Sequence, residues 1–462
     1  MSRRVILTLL ILLIIICLCL CLILVPGAFL YMRQGGLANL GTTPTPTATV
    51  PPLPTSPVSG NLPADIEAQM SQIQEEVVAL RGLIPDRAVP QDVLTAEQLR
   101  ENVVNDFFTD YPAEDAQADA RLLNALGLLE PDFDLLAFYR ELYSEQVAGY
   151  YDSETEEMYV VQGEGFQGLE RMTYAHEYTH ALQDQHYDLD EGMQLNNEYC
   201  EDHSEYCAAI QALIEGDASV TESMWFFTYG TELDQQQLLD FYQSYTSPVY
   251  DSAPAFMQED FIFPYTYGQE FVQSLYDIDG WQAVDDAYLN PPQSTEQILH
   301  PERYPEDTPE TIELPDLASA LGSNWVDLEQ NVLGEWYTYL VLAQGWLPET
   351  RLDESQARDA AAGWEGDAYL MLTNETDDQW VLLQQWLWES QPDVDEFWEA
   401  INQYGAARWG EPDLQNPEQV TWANTDDGWV SLNRSGLYVT WAVAPDEATS
   451  ELLSSEIFEL QE

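Results

Sequence analysis

Met172-Thr173-Tyr174-Ala175-His176-Glu177-Tyr178-Thr179-His180-Ala181-Leu182-Gln183 is the stretch on which the reading of this chain turns. It contains H-E-x-x-H. On a helix His176 and His180 are i,i+4 neighbours, about 5–6 Å apart on one face. That spacing lets two imidazoles share one zinc ion, while Glu177 stands beside the metal as a general base. The same letters also occur in helices whose histidines are merely solvated, so the rest of the chain has to decide. The chain holds five histidines in 462 residues, and His176, His180 and His186 fall close together.

Composition narrows the function classes. There are 82 acidic residues against 14 basic ones, all Arg, for a net charge of −68. Phosphate contacts need clustered Lys or Arg, so nucleic acid is excluded as a partner. Such a charge strains a compact fold by self-repulsion. It is tolerable where salt shortens the Debye length to about 3 Å at 1 M, or where acid protonates the carboxylates. The 14 Trp and 26 Tyr supply ample core-forming surface, and the length allows two or three domains.

At the N-terminus, Arg3 and Arg4 precede an apolar run from Val5 to Tyr31. Val5 to Val25 alone matches the roughly 20 residues that span a bilayer. A cleavable signal has a shorter apolar core, of about 7–15 residues, so a retained single-pass anchor is expected. Arg3 and Arg4 before the span, against Arg33 after it, put the N-terminus inside and the bulk of the chain outside the cell membrane. Cys17, Cys19 and Cys21 lie within the span. Cys200 and Cys207 remain in the exported part, where a short disulfide is plausible; a metal site including His203 is the alternative. Residues 33–63 form a Thr/Pro-rich linker that cannot build a core.

From Ala64 the apolar period is helical, with helices expected near 95–108, 116–126 and 135–147. Gly149-Tyr150-Tyr151-Asp152 and Glu157 to Val161 then read as a hairpin before a helix over about 168–185. Such a sheet edge can accept an extended peptide as an added strand. Asp188 to Glu205 reads as an acidic, solvated insertion, and further helices are expected over 207–227, 235–245 and 268–276. After a Pro- and acid-rich link, strand-like pieces at 368–373, 380–383 and 429–443 and helices near 332–343, 394–403 and 448–459 form a smaller α+β unit. The expected organisation is a cytoplasmic tip (1–4), anchor (5–32), linker (33–63), catalytic domain (64–315) and C-terminal domain (316–462).

A catalytic zinc usually has three protein ligands and one open position. His186 has the spacing of the third ligand in H-E-x-x-H-x-x-G-x-x-H, but Gln183 stands where glycine permits the necessary turn. Glu215 is the stronger candidate. It lies in an apolar helical run with Ile210, Leu213, Ile214 and Val220, where a carboxylate is costly unless paired or bound to a cation. Asp217 and Glu222 nearby are compatible with a solvated face instead. Glu222 could orient a ligand, and His300 before Pro301 could approach the cleft.

In this combination the chain resembles the gluzincin group of zinc peptidases, within the peptidase-MA-like superfamily. In its aminopeptidase branch H-E-x-x-H is followed by E-G-x-A, matched by Glu215-Gly216-Asp217-Ala218. Some members carry P-Y-x-x-G further on, matched by Pro264-Tyr265-Thr266-Tyr267-Gly268. Gly149 to Asp152 and Ser294 to Tyr304 also look like membrane-anchored bacterial proteins of this superfamily. The resemblance implies a mainly helical zincin-type fold with a small sheet. It also implies Zn2+ held by His176, His180 and Glu215, with Glu177 as general base toward a zinc-activated water and Tyr265 as oxyanion donor. The G-x-M-E-N stretch that holds a substrate's free N-terminus in aminopeptidases is absent, so the expected activity is that of an endopeptidase on proteins or peptides. The alternative is a catalytically silent binding or maturation module, which the C-terminal tryptophans (among them Trp386, Trp388, Trp422 and Trp441) could serve.

Overall fold

The computed structural model describes residues 52–54, 58–59, 62–107, 111–146, 149–153, 155–161, 166–374, 376 and 379–461. The expected tip, anchor and most of the linker lie outside these. Among the described residues no helix is long and apolar enough to cross a membrane. The fold is α+β, with many helices and two separate sheets.

The first sheet is small. β1 (Val58–Ser59) runs parallel to β2 (Gln91–Leu94), β2 runs parallel to β4 (Glu157–Val161), and β3 (Gly149–Asp152) pairs antiparallel with β4 as the edge strand. β3 and β4 are the expected hairpin. Tyr150 stacks on Tyr159 across the pair, their ring centroids 4.7 Å apart. Behind the sheet lie α1 (Ala64–Arg81) and α2 (Gly168–Tyr187). α2 opens on a capping box between Gln167 and Glu170 and ends where Asp188 turns left-handed. Every side chain from Met172 to Asp184 is buried, so its two histidines, its glutamate and Gln183 must find partners inside the protein.

α3 (Ser204–Tyr229) and α4 (Ala255–Asp279) are the longest helices described and cross closely. The crossing is set by glycines. A Cβ on Gly216 would sit 2.1 Å from the Gly268 carbonyl oxygen, and one on Gly268 would sit 2.1 Å from that of Ala212. α4 begins well before the expected start near Gly268 and carries Pro264 inside it. A proline usually ends a helix because it lacks an N–H and crowds the preceding turn. Here Phe256, Met257, Phe261 and Phe263 are buried on the turns before it, and this apolar packing outweighs the local preference. α5 (Trp281–Leu289) follows after Gly280.

The acidic stretch from Asp188 to Glu205 is only partly solvated. Leu189, Met193, Leu195 and Cys200 are buried in the core, and Cys200 pairs with Cys207 in a disulfide. That pairing removes the alternative cysteine–His203 metal site; the His203 ring instead stacks on Tyr199.

The second sheet has seven antiparallel strands in the order β5-β6-β7-β11-β10-β9-β8. They are β5 (Trp325–Asn331), β6 (Trp364–Asn374), β7 (Gln379–Trp388), β8 (Leu414–Gln415), β9 (Gln419–Thr425), β10 (Gly428–Ser435) and β11 (Tyr438–Ala444). A turn at Gly436 divides the apolar run 429–443 into β10 and β11. β5 lies on an edge, half exposed and acidic, which hides its strand character in the sequence. α6 (Gly334–Ala343) and α7 (Gln391–Trp409) pack beside this sheet. Trp336 of α6 stacks near Phe263 and Tyr267 of α4, so one apolar core runs from the helices into the sheet.

Candidate metal centre

α2 brings His176, Glu177 and His180 to one fully buried face, and the crossing helix α3 brings Glu215 against them. One carboxylate oxygen of Glu215 lies 3.1 Å from His176 Nε2 and 3.5 Å from His180 Nε2. Atoms of these three residues lie within 4.8 Å of one another, a spacing that suits a shared cation. Glu215 is thus the third member of the cluster. His186 is not, because its ring reaches the Ile84 carbonyl at 2.9 Å. His300 pairs with Glu335.

The outer nitrogens of the two rings are also held. His176 Nδ1 is 2.8 Å from a Glu222 oxygen, and His180 Nδ1 is 2.8 Å from Gln183 Oε1. Glu222 therefore orients a histidine, although its sequence position two turns beyond Glu215 is equally that of a same-face bystander. A hydrogen on each Nδ1 leaves each Nε2 with a lone pair aimed at the Glu215 carboxylate. Lone pairs facing a carboxylate without a proton or cation repel. His180 Nε2 and the second oxygen of Glu215 have no hydrogen-bond partner. Two nitrogens and a carboxylate at this spacing are the donor set that zinc takes.

The electrostatics follow from burial and these neighbours. Burial by itself lowers the His176 pKa, but hydrogen bonds that the ring donates to Glu215 and Glu222 outweigh it and hold the ring well above the usual imidazole value. A proton can thus take the place of a cation there. Burial works against the charge on Glu215, yet the His180 and His176 imidazoles pull its carboxyl below the ordinary value. Glu177 is different. Burial pushes it up to about 7, with the two imidazoles and the Tyr151 N–H pulling the other way and Glu215 adding to the rise. The Tyr151 backbone N–H of edge strand β3 donates to Glu177 Oε2 at 2.9 Å, while Oε1 has no partner. Tyr265 of α4 is fully buried with its ring centroid 6.4 Å from that of His176.

Comparison with known proteins reaches only a C-terminal stretch, less than a third of the chain. A family model described as a domain of unknown function (DUF8575) matches residues 324–454. This is the segment of the seven-stranded sheet, and it contains none of the residues around the two histidines. No curated protein and no solved structure matches the chain. The centre is therefore read on its own geometry.

That geometry includes residues the sequence reading left out. Gln183 donates through Nε2 to the Ile214 carbonyl at 2.9 Å and to Asp217 Oδ2 at 3.1 Å. Asp217 also accepts from Tyr288 at 2.9 Å and from Arg81 Nε at 2.7 Å. Arg81 is 1% exposed, pairs with Asp285 at 2.8 Å and lies over the Trp281 ring. The one local signal was the position of Gln183, three residues after His180 on the same helical face. The Arg81–Asp217 pair joins residues far apart in sequence, and nothing local announces it.

Proposed function

We propose that the protein is a membrane-anchored, extracytoplasmic zinc metallopeptidase of gluzincin type, acting as an endopeptidase on proteins or peptides. The observation that carries this reading is the convergence of three buried donor groups, His176, His180 and Glu215, beside a buried glutamate with one unpartnered oxygen. The donor set fits zinc, and these three residues would hold it. A zinc ion supplies Lewis-acid chemistry, making water a nucleophile near neutral pH and polarising a carbonyl.

The chain's own groups do the rest. Glu177 is fixed through Oε2 by the Tyr151 N–H and keeps Oε1 available for a proton. From there it can take a proton from water and return it to a leaving amine. Tyr265 is the donor assigned to the oxyanion that develops on the substrate carbonyl. β3 is an edge strand with its Tyr151 N–H at the general base. An extended peptide pairing along that edge would lie beside Glu177. Anchor 5–32 and linker 33–63 would hold the catalytic part outside the membrane. Of the C-terminal tryptophans that a binding module could use, Trp386, Trp388, Trp422 and Trp441 are buried while Trp380, Trp398, Trp409 and Trp429 are half-buried, so a silent binding module is the other outcome of the test below.

The test is cleavage of an unfolded protein by the full chain. Cleavage that stops with a chelator, returns with zinc, and is absent in a zinc-retaining Glu177→Gln variant is expected. Full activity of that variant would refute the assignment of Glu177.

A further inference from the structure

Gln183 is fully buried, and its amide orientation is decided by its surroundings. Nε2 faces two acceptors, the Ile214 carbonyl and the Asp217 carboxylate. An amide turned the other way would set its oxygen against both. Oε1 therefore faces His180 Nδ1 at 2.8 Å, and as an acceptor it requires a hydrogen there. The remaining nitrogen, Nε2, keeps its lone pair toward Glu215, 3.5 Å away.

What keeps Gln183 in place is Asp217, a fully buried carboxylate on α3. Its Oδ2 accepts from Gln183 and Tyr288, and its Oδ1 accepts from Arg81. Arg81 is the last residue of α1, the first long helix after the linker. An isolated buried charge is expensive, and each partner of this pair makes the other tolerable. Arg81 is further held by Asp285 and the face of Trp281. A continuous polar path thus leads from α1 to His180, entering through the ring nitrogen opposite the one that faces Glu215. At Nδ1, His176 meets a carboxylate, Glu222; His180 there meets a neutral amide backed by an ion pair.

We propose that Gln183, locked by the Asp217–Arg81 pair, is a positioning residue that fixes the Nδ1–H tautomer and ring orientation of His180, so that α1 helps set how tightly the centre holds zinc. The inference rests on the metal reading above for its affinity arm but not for its tautomer arm. A hydrogen-bond partner of this kind on a ligating histidine typically governs about 10–100-fold in metal affinity.

The experiment uses the full chain, its histidines labelled with nitrogen-15, as wild type, Gln183→Met and Gln183→Glu. Methionine keeps the unbranched shape without an acceptor, whereas glutamate keeps an oxygen for His180. Metal-free wild type at pH 8 is expected to show His180 as the Nδ1–H tautomer. Gln183→Met is expected to lose that preference and to raise the zinc Kd about 10–100-fold; Gln183→Glu, which keeps the acceptor but must carry a proton on its other oxygen to face Asp217, is expected to restore the tautomer and only part of the affinity. A merely structural role would shift the melting temperature and leave the tautomer alone. An Nε2–H tautomer in wild type overturns the proposal whatever the variants do. So does a Gln183→Met protein with wild-type tautomer and zinc Kd. If wild type binds no zinc, the metal reading falls, and the tautomer spectra still decide this inference.

Discussion

At the scale of single residues, the centre leaves His180 Nε2, one oxygen of Glu215 and one oxygen of Glu177 buried without a hydrogen-bond partner. His176, His180 and Glu215 converge on one another, and Glu222 and Gln183 hold the outer nitrogens of the two rings. Glu177 keeps an oxygen unpartnered, and its carboxyl is raised to about 7 by burial. Tyr265 lies beside His176, fully buried, on a different helix from the two histidines and from Glu215. In the role proposed for it, as oxyanion donor, Tyr265 would act on the reaction more than on the metal. Tyr265→Phe should therefore lower kcat about 10²–10³-fold while zinc content and melting temperature stay near wild type; steady-state kinetics with metal analysis checks this, and unchanged kcat would remove Tyr265 from the mechanism. The letters H-E-x-x-H and E-G-x-A were legible because ligand spacing on a helix is a local property. The supporting shell was not. In a chain with 82 acidic residues, Asp217 and Glu222 look like any solvated face, and only the contacts with Arg81 and His176 show that both are buried and committed.

At the scale of elements, the site exists because α3 and α4 approach backbone to backbone. Gly216 follows Glu215 directly, and Gly268 follows Tyr265 by three residues, so the glycines that permit the crossing are locked to the residues it brings together. In Gly268→Ala the new Cβ would meet the Ala212 carbonyl, which is backbone and cannot swing away. The helices must separate. The variant should lose about 1–3 kcal/mol of stability, the usual cost of overpacking, together with zinc affinity, since Glu215 moves with α3. Urea denaturation and zinc titration measure the two. Loss of stability with zinc affinity intact would mean that the crossing does not position the ligand. The hairpin β3–β4 and helix α2 were legible because the period changes sharply between them. The early start of α4 was not, because Pro264 is a local stop signal overruled by burial of Phe256, Phe261 and Phe263. β5 escaped for the converse reason: an acidic, half-exposed edge strand gains its register from β6 and carries little pattern of its own.

At the scale of the whole molecule, the large negative charge and the buried carboxyls act in the same direction. Burial pushes Glu205 up to about 8, against hydrogen bonds from Thr295, and Asp260 up to about 6, against hydrogen bonds from Tyr337 and Trp336. Their ordinary values are 4.5 and 3.8. Between its ordinary and its folded pKa, each group is ionised in the unfolded chain but protonated in the folded one. The stability it contributes is complete below the ordinary value and is lost as pH rises through the folded one. Glu215, held below its ordinary value, acts only at more acid pH. Metal-free protein should therefore show a urea midpoint that falls steadily from pH 5 to pH 8, and a midpoint that rises over that window would contradict this account. Added salt should offset part of the loss by screening the remaining charge. The central claim, that the two histidines of α2 and the glutamate of α3 form a zinc site, is tested most directly by metal analysis of the purified full chain. One zinc per chain in wild type and none in Glu215→Ala is the result expected; wild type without zinc after exposure to it, or Glu215→Ala with its full complement, would contradict the site as described.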